Sequence, residues 1–303
     1  DGTQVHVSGT IAEPAEAGLD YLSRFGSDKE TTVLVYDLGG GTFDLALVAL
    51  YPKGRTNGDG DYYYDILAVD GLEDVGGGEF DEIMYQLIEQ KLQVPLNPSH
   101  KAALRAEAEK IKKDLTFDAY ADAEVLYNNE YLTVRVTREE FETASRELLM
   151  RTIEATKKMF ERHSNQKPET IILTGGASQM PMVKRALEEA FPEYKGDEMK
   201  HKEDKIQISN PSRAIADGAA RYGTAEAMND IAEKAEAASV VQTRVGYDLG
   251  IRFYHSVDDE SGYISTYIPA GTPIPYQAAY QNSTTLHEDQ RYSGFTVYEA
   301  NKA

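Results

Sequence analysis

Three glycine clusters constrain this chain more than any other feature: Gly39-Gly40-Gly41, Gly76-Gly77-Gly78 and Gly175-Gly176, each placed where a predicted strand ends. Glycine lets backbone N–H groups approach an anion with no Cβ in the way, and it accepts φ > 0. The first cluster separates two apolar runs, 32–38 and 43–50, so it joins two strands. Asp37 stands just before it and Thr42 just after it. A carboxylate there suits a hydrated Mg²⁺, and a hydroxyl there suits a terminal phosphate. An ordinary Gly-rich hairpin, with Asp37 satisfying turn amides, accounts for the same residues and stays open at this level. A P-loop is excluded, because no Gly-x-x-x-x-Gly-Lys-Ser/Thr occurs. A dinucleotide fingerprint fits poorly, because the first cluster does not open a helix. Gly175-Gly176 reads as opening one, whose free amides and dipole favour an anion. Tight strand–helix packing is the alternative there.

Around these turns, residues 11–225 alternate strands and helices, the pattern of an α/β fold. The spacing predicts a helix over 14–24 and strands over 32–38, 43–50 and 62–69. The links between those strands are short, so they form an antiparallel meander. Helices follow over 79–92 and from Asn97-Pro98, an asparagine cap with proline at the first helical position. Leu104, Ala108, Ile111 and Leu115 make one apolar face of the second of these. Runs 123–127 and 131–136 flank Asn128-Asn129, a tight hairpin. Thr137 and Glu140 form a capping box for a long helix with Phe141, Ala144, Leu148 and Leu149 facing inward. A buried strand at 169–174 precedes Gly175-Gly176 and a helix to Phe191. Asn210-Pro211 starts an alanine-rich helix that runs to about residue 238. From Thr243 on, eight tyrosines and short alternating runs mark an all-β segment of four strands, a separate unit.

Charge and composition narrow the function classes. The chain has 303 residues and 51 acidic against 31 basic side chains, a net charge of -20. A general nucleic-acid or anionic-membrane surface is therefore not expected. No run approaches the roughly 18 apolar residues of a membrane span, and the opening residues do not read as a leader. There are no cysteines, so thiolate metal sites and cysteine nucleophiles are excluded, and a reducing cytoplasmic location fits. The six histidines are never paired at i, i+4, which argues against a zinc-hydrolase helix.

Val35-Tyr36-Asp37-Leu38-Gly39-Gly40-Gly41-Thr42-Phe43-Asp44 resembles the second phosphate-binding motif of the actin-like ATPases, in the long form of the 70-kDa heat-shock (DnaK-like) chaperones. Further segments match in order: Ile11-Ala12-Glu13-Pro14, Gly76-Gly77-Gly78-Glu79-Phe80-Asp81, Glu109-Lys110-Ile111-Lys112-Lys113-Asp114-Leu115, Ile172-Leu173-Thr174-Gly175-Gly176, and Asn210-Pro211 leading to Asp217-Gly218-Ala219-Ala220. The tail is similar to the opening strands of that family's peptide-binding β-sandwich, through Asp248-Leu249-Gly250-Ile251 and Ile268-Pro269-Ala270-Gly271-Thr272-Pro273-Ile274-Pro275. The resemblance implies an α/β fold: an actin-like, ribonuclease H-like lobe II at 1–225 with an inserted α+β subdomain at about 72–150. A helix end and linker at 226–243 and a partial β-sandwich at 244–303 would follow.

The resemblance also implies roles. Asp37 would organise Mg²⁺ through water, Thr42 would sit near the γ-phosphate, and Gly39, Gly40 and Gly41 would contact the β- and γ-phosphates of ATP or ADP. Glu13 would stand near the attacking water. Glu109, Lys112, Lys113 and Thr116 would line the adenosine, and Gly175 and Gly176 would face the adenine and α-phosphate. Read without the resemblance, the charged helix is a solvated face. Gln179 stands where the family commonly has an arginine that stacks on adenine, Ala177 replaces a serine, and Ser212 replaces an acid. Val240-Val241-Gln242-Thr243-Arg244 replaces a leucine-rich linker. The family's first lobe would precede Glu13, so the sequence reads as a piece of a longer protein, inactive as an ATPase by itself. Implied partners are unfolded peptides and co-chaperones. A sugar kinase or filament-forming actin relative, and a non-enzymatic interaction module, are the rival readings.

Overall fold

The computed structural model describes residues 13–25, 29–52, 62–197, 203–209, 215–223, 240–245, 248–254, 261–274 and 297–300. The chain order of its elements is α1 (Glu13–Phe25), β1 (Thr31–Leu38), β2 (Phe43–Pro52), β3 (Tyr62–Leu72), α2 (Gly77–Leu92), α3 (Pro98–Phe117), β4 (Tyr120–Tyr127), β5 (Glu130–Thr137), α4 (Arg138–Arg162), β6 (Thr170–Thr174), α5 (Pro181–Ala190), β7 (Ile206–Ile208), β8 (Val240–Arg244), β9 (Asp248–Phe253), β10 (Tyr263–Ile268), β11 (Pro273–Ile274) and β12 (Val297–Ala300). Residues 215–223 are also helical.

A mixed sheet of order β11-β8-β3-β2-β1-β6-β7 organises the molecule. The meander holds: β1 pairs antiparallel with β2, and β2 with β3. β6 then joins β1 in parallel, which places Asp37 opposite Thr174. β1 is buried on both faces, as an apolar β-branched run in mid-sheet should be. On one face Val33, Val35, Ala46, Val48, Leu50 and Ile172 pack against Ala15, Ala17, Leu19 and Leu22 of α1. On the other, Leu34, Tyr36, Leu38, Leu45 and Leu173 join a larger core that runs into α2, α3, α4 and the β4–β5 hairpin.

Local chemistry explains the element ends. Asn97 caps α3, its side chain accepting from His100 N at 2.9 Å, with Pro98 at the first turn. Thr137 and Glu140 close the capping box of α4. Lys91 and the Thr137 amide hold the Glu140 carboxyl down at about 2. Asn128 and Asn129 turn the hairpin with φ of 50° and 63°, a conformation asparagine tolerates. Asp20 of α1 accepts from Arg24 Nε at 2.9 Å and from Arg221 Nε at 3.2 Å, while Arg24 reaches Asp217 at 2.8 Å. That network fastens the 215–223 helix to α1.

Three expectations change. The chain after Gly175-Gly176 does not enter a long helix; it makes a 3-10 turn at Ala177–Gln179, and α5 starts only at Pro181, a residue suited to a first helical position. Within α4, Ala144 faces solvent and Leu148 is half-buried, while Ser145, Thr152 and Thr156 lie on the buried side. Thr152 and Thr156 are tolerated because they donate to the helix's own carbonyls of Leu149 and Thr152, whereas Ser145 Oγ has no hydrogen-bond partner among the described residues. Residues 240–244, expected in the linker, form β8 along the edge of β3. Val240, Val241 and Thr243 favour that extended state. Of the tail, β9, β10 and β12 make a separate three-stranded sheet, and β11 pairs with β8. The Asn210-Pro211 start, most of the alanine-rich helix and Ile11-Ala12 lie outside the described residues.

Candidate functional site

Asp37 ends β1, with only 6% of its surface exposed. The chain then turns through Gly39–Thr42, closed by Gly39 N donating to Thr42 O at 3.0 Å. The second glycine cluster clasps this turn. Gly77 N donates to Gly39 O at 2.9 Å and Gly78 N to Gly40 O at 2.8 Å, so the first amides of α2 are spent on the turn's carbonyls. The approach is close enough that a Cβ on Gly76 would fall 2.4 Å from the Gly41 carbonyl carbon. With the carbonyls of 39 and 40 fixed, the N–H groups of Gly40 and Gly41 have no acceptor among the described residues. Both residues are exposed, and a Cβ on either would meet nothing within 4 Å. Acceptorless amides beside open space form an anion cradle.

The third cluster closes the other side. Gly175 has φ +81°, and a Cβ there would lie 2.3 Å from Asp37 Oδ1 and 2.4 Å from Leu38 O. The bare backbone is what lets β6 turn beneath the carboxylate. Ser178 then accepts from Leu38 N at 3.1 Å, a buried bond that locks the 3-10 turn to the end of β1. Burial, then the charges of Glu13 and Asp44, push the Asp37 carboxyl up to about 7. Burial and Glu13 raise Glu16 to about 7 as well. A cation or phosphate-bound metal would relieve this crowding of acids.

Of the residues anticipated from sequence, Asp37, Gly39, Gly40, Gly41, Thr42, Gly175 and Gly176 converge, and Glu13 reaches them through its charge on Asp37. Thr42 donates to Asp44 at 2.7 Å from an exposed position. Lys112 is buried: its Nζ donates to Gly77 O at 2.8 Å and pairs with Asp81 at 2.7 Å. It thus anchors α3 to the second glycine cluster. Glu109 and Lys113 pair with each other at 2.6 Å, both exposed, and both act on the charge of Asp81. Thr116 bonds back to Lys112 O within the helix, and Gln179 is exposed at the end of its 3-10 turn. Ser178, Asp81 and Thr174 were not singled out from sequence. A hydroxyl two residues past a Gly-Gly pair was the available signal for Ser178.

The residues fit a magnesium nucleotide. No group of three or more His, Cys, Asp or Glu side chains among the described residues forms a metal cage. Mg²⁺ needs none, since it binds through one or two carboxylates, waters and phosphate oxygens. A pH test follows from Asp37. Its folded value lies above the ordinary carboxylate value of 3.8, so the folded chain binds the extra proton and loses stability as pH rises from 4 to 7. Asp37→Asn should remove that loss, raising the nucleotide-free melting temperature more at pH 7 than at pH 5. Comparing the two curves isolates Asp37, because His163, lowered by burial, contributes equally to both. Equal gains at both pH values would contradict the burial of Asp37.

Comparison with known proteins finds relatives of this chain. A family model described as "Hsp70 protein" matches residues 5–303. A chaperone protein DnaK of Stenotrophomonas maltophilia (strain R551-3) is 29% identical over 227 residues, 70% of this chain and 33% of the relative. The chain therefore spans about a third of the length of that curated relative.

Proposed function

The chain belongs to the Hsp70 family, and on that premise we propose that it carries one wall of a Mg-ATP site in a chaperone that couples ATP hydrolysis to the binding of unfolded peptides. The observation that carries this reading is the clasped Gly39–Thr42 turn, with acceptorless amides on Gly40 and Gly41 beside the buried Asp37. The Gly40 and Gly41 amides would take phosphate oxygens, and Asp37 would hold Mg²⁺ through water. Glu13 would orient a water, and the exposed side of α3 with Glu109, Lys113 and Thr116 would line the nucleoside. Lys112 supports them by fixing α3 against Gly77. The metal, when bound, supplies positive charge to the phosphates; positioning is the protein's part.

The mixed sheet with α1 and α5 corresponds on this reading to lobe II of an actin-like ATPase, and residues 72–150, which reach midway along α4, to its inserted subdomain. Residues 244–303 would begin a peptide-binding β-sandwich. Unfolded peptides and co-chaperones are the partners proposed with it. The family match extends through the tail to residue 303, which disfavours a sugar kinase or an actin filament protein. No helix among the described residues is long and apolar enough to cross a membrane.

ADP titrated into the chain with and without Mg²⁺ tests the site. Binding that tightens with Mg²⁺ supports it; binding indifferent to the metal, or none at tens of millimolar, contradicts it. Gln179 bears on the base. Its side chain is exposed at the end of the 3-10 turn, and Gln179→Arg would add a cation able to stack on adenine, worth about 0.5–2 kcal/mol. ADP affinity should rise several-fold. No change would place the base elsewhere.

A further inference from the structure

Thr174 ends β6 with 1% of its surface exposed, and its Oγ1 has no hydrogen-bond partner among the described residues. Buried hydroxyls are almost always partnered, so an orphan calls for an explanation. The rest of β6 shows what this strand would take for stability alone: Ile171, Ile172 and Leu173 are all fully buried. A threonine interrupts that apolar run with no return in the fold as it stands.

Its place supplies the reason. β6 runs parallel to β1, with Thr174 directly opposite Asp37. Val35 and Ile172 share the face packed on α1, so strand alternation puts Asp37 and Thr174, two residues further along each strand, on that same face. The Asp37 carboxylate leans over the next residue, Gly175, where no side chain separates the two groups. The orphan hydroxyl thus belongs to the residue directly across the strand pair, on the same face, from the carboxylate assigned to the metal's water shell.

We propose that Thr174 is a positioning residue for the phosphate site, its hydroxyl donating to the Asp37 carboxylate when the magnesium nucleotide is bound. The proposal rests on the Mg-nucleotide reading above. A hydrogen bond to a charged partner is among the stronger ones, and here it would form only in the loaded state. In the free chain the same hydroxyl is a cost, so removing it should not harm the fold.

Thr174→Val keeps the shape and deletes the hydroxyl, while Thr174→Ser keeps the hydroxyl. Each variant and the parent chain would be titrated with ADP, with and without Mg²⁺, following backbone amide shifts, and melted without nucleotide. For Thr174→Val, the Mg²⁺-dependent gain in ADP affinity should fall about tenfold, binding without Mg²⁺ should be unchanged, and the melting temperature should hold or rise. Thr174→Ser should restore the gain. A valine variant that keeps the whole Mg²⁺ gain overturns the proposal. So does one that loses it only together with its melting temperature. If the parent chain itself shows no Mg²⁺ gain, the phosphate-site reading fails first, and this proposal with it.

Discussion

Gly175→Ala should lower the melting temperature on the order of 10 °C, a large effect for a single methyl group. Two costs add. At φ +81° any Cβ is strained, by roughly 1–2 kcal/mol. The added carbon would also lie 2.3 Å from Asp37 Oδ1, 2.4 Å from Leu38 O and 2.5 Å from Leu38 C. Backbone atoms cannot swing aside, so overpacking adds about 1–3 kcal/mol. Together about 3 kcal/mol corresponds to roughly 6–12 °C in a domain of this size. Gly176→Ala is the matched control, because a Cβ there meets nothing within 4 Å and φ is an ordinary -62°. Thermal melts of the two variants side by side should separate clearly. Equal melting temperatures would mean that β6 does not turn beneath Asp37 as described.

Gly40→Val should do the opposite: leave the fold intact and abolish nucleotide binding. Gly40 is exposed, and nothing lies within 4 Å of the position its Cβ would take. Its carbonyl would still accept from Gly78 N, so the clasp stays. A valine side chain would nonetheless stand in the open space where the phosphates must approach the Gly40 and Gly41 amides. The melting temperature should stay within a few degrees of the parent, and ADP binding should fall below detection. A variant that binds ADP normally would remove the phosphate role from this turn.

These contrasts show which parts of the site could be read from the sequence. The elements carrying Asp37 and the first glycine cluster were legible, because two apolar runs separated only by Gly39-Gly40-Gly41 and Thr42 read as a hairpin. The caps at Asn97 and Thr137 and the Asn128-Asn129 turn are equally local, each set by residues three or fewer positions apart. What stayed hidden is long-range. Nothing near position 76 indicates that α2 donates its first amides to a turn more than thirty residues earlier. Lys112 reads as one of several surface lysines until the fold buries it against Gly77 and Asp81. The polar side of α4 was hidden for another reason: positions 144 and 145 fit the helical period equally, and side-chain polarity favours the alanine, whereas the packing buries the serine. β8 was missed because its main partner, β3, lies far away in sequence.

The central claim is that the turn from Gly39 to Thr42, with Asp37 and Gly175-Gly176, is where a magnesium nucleotide lies. The chain has 24 glycines, so ¹⁵N-glycine labelling reports on all three clusters in one spectrum. Gly40, Gly41, Thr42, Gly176 and Gln179 are exposed, leaving phosphates laid on them open to water, where electrostatic contacts are weak. Titration with Mg-ADP should therefore shift the amides of Gly39, Gly40, Gly41, Gly175 and Gly176 with half-saturation near ~1 mM, about 4 kcal/mol of binding. Unmoved signals at those five glycines, with shifts elsewhere or none at all, would contradict the account.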